Sequence, residues 1–155
     1  MKFSKIQTET LYNTDYIRWV ETTLKQLRSR DYDNVDWDNL LDEIADLSRY
    51  ERQDLAINLV FVLRHLLKWQ FHDENHTGTV ASSITEHRWR VLRLLKDSPS
   101  LKPYIENVVD ECYPIARRQA HQETGLPLET FPAVCPYNTK EILDYDFLPE
   151  VDRGE

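Results

Sequence analysis

A chain of 155 residues with a formal net charge of −8 is long enough to bury a core without disulfide staples. Its acidity argues against a nucleic-acid binder, because phosphate neutralisation by basic groups supplies most non-specific affinity. No apolar run approaches the roughly 20 residues needed to span a bilayer, and "MKFSKIQTET" lacks the apolar stretch of a secretory signal, so no membrane association and a cytoplasmic location are expected. Cys112 and Cys135 make no disulfide framework and are expected as reduced, buried thiols.

Only three glycines occur, at 78, 125 and 154, and strand-like alternation is absent, so the elements read as helices with a few sharp breaks. The first helix is predicted from about Asp15 to Ser29, capped by Thr14, with Tyr16, Trp19, Val20, Leu24 and Leu27 on its core face. Asp36 reads as the next N-cap, with Val35 placed to pack on Leu40. The helix it opens can run to Phe71, about 35 residues or roughly 50 Å, unless it breaks near Ser48. "HDENHTG" ends it at Gly78. Ser83 and Glu86 form a capping-box pattern for a third helix carrying Ile84, Arg88, Val91, Leu92 and Leu95. Ser98 and Pro99 then open a fourth, which runs through Leu101, Ile105, Val109, Cys112 and Ala116 to Gly125, with a kink expected at Pro114. Residues 126–149 read as an extended strap containing a short helix capped by Asn138 and Glu141, and residues 150–155 as frayed. The fold class is therefore all-α: a single-domain antiparallel bundle of four main helices, a C-terminal strap and a short fifth helix.

On a helical wheel of the long segment, Leu41, Ile44, Leu55, Leu59, Val62 and Leu66 fall within about 40° of one line, the predicted buried stripe. Arg64 and Lys68 fall away from it and are expected to be solvated or snorkelling. His65 lies on the shoulder of the stripe with Trp69, and steps of seven residues add Asn58 and Glu51 to its line. Successive members stand about 10.5 Å apart along the axis, so each needs a partner from elsewhere, with Tyr16, Tyr104 and Tyr113 as candidates. If the chain carries chemistry, Glu51, Asn58, His65 and Trp69 are the candidate catalytic or ligand-binding residues, with His65 as acid or base. Otherwise the line is a hydrogen-bonded seam that sets helix register. His72 and His76 have the i, i+4 spacing of metal ligands but lie in a loop and outside any zinc-protease pattern, so no metal is expected.

Phosphate-loop, dinucleotide-binding and nucleophile-elbow motifs are absent, and no cofactor is expected. Arg88, Arg90, Arg93 and Lys96 form a basic cluster, yet helical spacing spreads them around the axis instead of into a phosphate-binding stripe. A protein-interaction module, holding an unidentified partner or a second copy of itself, fits the charge asymmetry and the aromatics best; an enzyme or ligand binder using the His65 seam is the alternative.

The blocks "LYNTDYIRWV", "LLDEIADL", "LRHLLKWQF", "LLKDSPSLKPY" and "ETGLPLETFPAVCPYNTKEILDYDFLPE" together closely resemble the DUF29 family over about residues 10–150. The resemblance implies a small helical bundle of bacterial, possibly cyanobacterial, origin and no transferable activity. Its recurrent positions correspond here to Tyr12, Asp15, Trp19, Glu43, Glu51, His65, Lys68, Trp69, Pro132, Cys135 and Pro136. The chain departs from the family pattern at Ala45, where glutamate is expected, and near Val80, where tryptophan is usual.

Overall fold

A computed structural model describes residues 2–154. Among the described residues six α-helices follow in order: α1 (Lys5–Thr14), α2 (Tyr16–Arg28), α3 (Trp37–Phe71), α4 (Gly78–Asp97), α5 (Ile105–Thr124) and α6 (Thr139–Leu143). Short 3-10 turns lie between several of them, and no strand occurs among the described residues. The chain is all-α, as its composition predicts. It divides into two compact units, Met1–Tyr50 and Glu51–Glu155, and α3 runs unbroken through the boundary.

The first unit holds α1, α2 and the start of α3. Helix α1 was not legible in the sequence, because "KIQTETLYNT" carries little amphipathic signal; a capping box, Ser4 with Gln7, starts it. One residue, Asp15, separates α1 from α2. Its side chain accepts the backbone N–H of Arg18 and so caps α2, one position later than the predicted Thr14. Between the helices the Gln26 amide donates to Thr8 Oγ1 at 2.9 Å, a buried polar pair where an apolar contact would be the usual choice. Beyond α2 the chain turns at Arg30, whose φ of 60° places a non-glycine residue in the left-handed region. The buried apolar core of this unit comes down to Trp19 and Val35. Asp36 joins that core to α3: one carboxylate oxygen accepts the Trp19 indole N–H at 3.1 Å, while the other accepts the Asn39 backbone N–H as an N-cap.

The second unit contains the continuous core. Leu55, Leu59, Val62, Leu63, Leu66 and Leu67 of α3 are enclosed by Ile84 and Val91 of α4, Val109, Cys112, Ala116 and Ala120 of α5, and Phe131, Tyr137 and Ile142 of the strap. Helix α4 starts at Gly78, with Thr77 as its cap, so the glycine opens a helix instead of closing a loop; the expected start at Ser83 lies a turn and a half too late. Pro99–Tyr104 is a 3-10 turn, and α5 starts only at Ile105 and continues through Pro114. Gly125, at φ 71°, ends α5 in the left-handed conformation that glycine adopts without strain. Within the strap, Asn138 with Glu141 forms the capping box of α6. In the tail the Asp152 N–H donates to the Gln70 carbonyl at 2.8 Å; Glu155 lies outside the described residues.

Arg88 is the decisive strap anchor. It is 1% exposed, and its guanidinium donates to the carbonyls of Glu141, Ile142 and Phe147 at 2.8–3.1 Å. Two of those carbonyls belong to the end of α6, where backbone donors run short: among the described residues the Glu141 carbonyl otherwise accepts only the Asp144 N–H, at 3.4 Å. Burial lowers the pKa of Arg88 from its ordinary value. A residue of the basic cluster is thus a structural tie, and Arg117 likewise donates its Nε to the Phe131 carbonyl at 3.0 Å.

Candidate functional site

The polar line on α3 resolves into separate local pairings. Glu51 accepts a hydrogen bond from the Ser98 hydroxyl at 2.7 Å, which diverts that hydroxyl from its expected capping role. Asn58 donates its amide N–H to the Asp54 carbonyl at 2.7 Å, which turns its Oδ1 toward His87 Nδ1 at 2.8 Å. An acceptor at that distance fixes the proton on His87 Nδ1. Trp69 lies farther along, its ring 4.6 Å from that of His76.

His65 meets none of the tyrosines proposed as partners. Tyr16 donates to Glu43, Tyr113 donates to the Pro132 carbonyl, and Tyr104 is exposed. Its imidazole packs instead on Phe61, centroids 4.2 Å apart, while His87 stacks on the same phenyl ring at 3.5 Å. Two histidines and a phenylalanine therefore form one aromatic group between α3 and α4. His65 Nδ1 is buried without a hydrogen-bond partner. Burial first, then Lys68 and Arg64, lower the His65 pKa to about 4; burial and Arg90 lower that of His87. Both rings are neutral at pH 7. Neither Phe61 nor His87 was singled out from sequence, although Phe61 stands one turn before His65 on the same face.

Arg64 and Lys68 correct a second expectation. Instead of facing solvent, their side chains are 19% and 14% exposed and lie on α5. Arg64 Nη1 donates to Gln119 at 2.9 Å and stands 3.5 Å from Glu123; Lys68 Nζ meets Glu123 at 2.9 Å. Burial alone would raise the Glu123 carboxyl, yet the Lys68 bond and the Arg64 charge hold it below its ordinary value. The wheel placed these cations correctly opposite the stripe. It could not show that a second helix packs on that side too.

His72 and His76 do not converge. His76 turns its ring onto Trp69 and bonds the Trp69 carbonyl, while His72 Nε2 stands 3.9 Å from Glu74. Among the described residues no group of three or more His, Cys, Asp or Glu is placed to hold a metal ion. Burial raises the Cys112 thiol to about 11 and lifts Cys135 as well, which keeps both thiols protonated at neutral pH. A cleft of about 230 Å³ is bordered by Asn58, Trp89, Arg90 and Arg93 without reaching His65.

The largest departure concerns the apolar stripe itself. Leu55, Leu59, Val62 and Leu66 are fully enclosed, but Leu41 and Ile44, on the same line of the same helix, are 60% and 54% exposed. Trp37, exactly five helical turns before Leu55, and Leu47 on the flank are exposed too. The predicted core face of α2 is split: Trp19 is buried, while Tyr16, Val20 and Leu24 are exposed, and Ile17 joins Val20 and Leu24 in an open stripe spaced i, i+3, i+7. Each stripe has the geometry by which one helix packs on another. Behind the α3 stripe, Tyr12 and Tyr16 donate to the two oxygens of Glu43 at 2.6 and 2.9 Å, and these bonds to the carboxylate raise both phenol pKa values. This bracing holds the start of α3 on its inner side and leaves the apolar side open.

No described helix is long and apolar enough to cross a membrane. No match was found among curated proteins or among solved structures. The model of the domain of unknown function DUF29 matches residues 11–148, nearly the whole chain. On a match of that extent, the chain belongs to the DUF29 family.

Proposed function

We propose that this chain is a non-enzymatic protein-interaction module of the cytoplasm that works through the open helix faces of residues 16–50. One observation carries the reading: the apolar stripe of α3 is covered along its second half and bare along its first. Burying Leu41 and Ile44 against a partner contributes on the order of 1–2 kcal/mol each. Exposed contiguous apolar surface on a folded unit marks an interaction site more often than scattered single residues do. The ligand-binding alternative has less support, because the cleft beside Asn58 does not reach His65, and Glu51 and Trp69 take partners apart from the group in which His87 and Phe61 link Asn58 to His65.

The test is site-specific photocrosslinking in living cells, with a benzophenone amino acid at Leu41 or Ile44 and, as control, at exposed Glu129 in the strap. The reading expects a discrete adduct from positions 41 and 44 and none from 129. Absence of adducts, or equal adducts from all three positions, contradicts it.

A further inference from the structure

We infer that the occupant of the open face is a second copy of this chain, with α2 of each copy seated on the start of α3 of the other. The inference rests on the docking reading and adds the identity of the partner. Its argument is charge. Beside the Leu24 end of the α2 stripe lie Lys25 and Arg28, with Arg18 a further turn or two toward the N-terminus and Glu21 as the acid of that surface. The start of α3 has the opposite character: Asp38 and Asp42 flank Leu41, and the next cation along the helix, Arg49, is paired at 2.7 Å with Asp46 on the side away from the stripe.

Two copies set α3 to α3 would bring those carboxylates together, and two set α2 to α2 would oppose the cations. Crossed pairing places basic rim against acidic rim around a shared apolar seam. A twofold axis satisfies both crossed contacts at once, since each copy then offers the same pair of surfaces to the other. Rim charges of this kind select partner and register, while the apolar residues supply the contact area.

Sedimentation of the full chain tests this with two charge-reversed variants: an acidic one, Lys25→Glu with Arg28→Glu, and a basic one, Asp38→Lys with Asp42→Lys. The native chain is expected to dimerise, and each variant alone to dimerise about tenfold more weakly or worse. An equimolar mixture should regain the dimer, because both crossed contacts are then matched. Far-ultraviolet circular dichroism confirms that each variant is folded, and recovery on mixing excludes a trivial loss of structure. A native chain that stays monomeric, variants that dimerise as well as the native chain, or a mixture that stays monomeric overturns the inference. Should the native chain be monomeric while Leu41 still crosslinks to a different polypeptide, self-pairing fails and the docking reading stands; loss of both results removes both.

Discussion

The two halves of α3 are made of one kind of residue pattern and meet different fates. From Leu55 onward the stripe is covered: α4 and the strap close over it, and α5 collects Arg64 and Lys68 on the side that a wheel assigns to water. Before Tyr50 the same stripe has nothing over Leu41 and Ile44, and the small core depends on an indole–carboxylate bond and a glutamine–threonine pair. Amphipathic patterning therefore states that a face wants covering without stating that the chain covers it. One unit resembles a finished domain, the other half of an interface.

The comparison breaks most sharply if the second unit proves easy to open. Arg88→Met removes the donors that hold the Glu141, Ile142 and Phe147 carbonyls, and it should cost about 3–5 kcal/mol in chemical denaturation and expose the strap to proteolysis. A cost below about 1 kcal/mol would mean that the strap is held by its apolar contacts alone.

A matched pair of truncations on one stripe sharpens it. Leu59→Ala should cost about 2–4 kcal/mol in denaturation, because it empties a fully enclosed site. Leu41→Ala, measured at concentrations dilute enough to keep the chain monomeric, should change stability by less than about 0.5 kcal/mol. Equal costs would show that both halves are buried in the isolated chain.

The smallest effect concerns pH. His65 has a folded pKa of about 4, below its ordinary 6.5, so the unfolded chain binds the extra proton between those values. The stability tied to its neutral form is complete above about pH 6.5 and is lost as pH falls toward 4. His87, shifted the same way, and Glu123, held low by Lys68 and Arg64, act in the same direction on the acid side. Between pH 7 and pH 5 the native chain should lose on the order of 1–2 kcal/mol more than His65→Leu does. Identical losses would place the histidine in water.

Much of the frame was legible in the residues: the 35-residue helix, the Asp36 cap, the Gly125 stop and the capping box of α6 each follow from local chemistry. What escaped was tertiary. Helix α1 has a cap but no strong apolar period, Gly78 reads as a breaker unless Thr77 is seen to cap behind it, and Arg88 sits at a core position whose acceptor carbonyls come from more than 50 residues away. At the candidate sites, position on α3 identified the His65 shoulder, but its real neighbours, Phe61 and His87, depend on where α4 lies. The open stripe reads as core because Leu41 and Leu59 lie on one line of the helix, and periodicity by itself gives no weight to the acids that flank Leu41 in place of the apolar run around Leu59.

Hydroxyl-radical footprinting of the purified full chain, from dilute to concentrated solution, addresses this difference most directly. In dilute solution Trp37, Leu41 and Ile44 should oxidise readily while Leu59, Val62 and Leu66 stay protected, and raising the concentration should protect the first set alone. Protection of Leu41 and Ile44 at every concentration would contradict the account, since the first half of α3 would then be covered within a single chain.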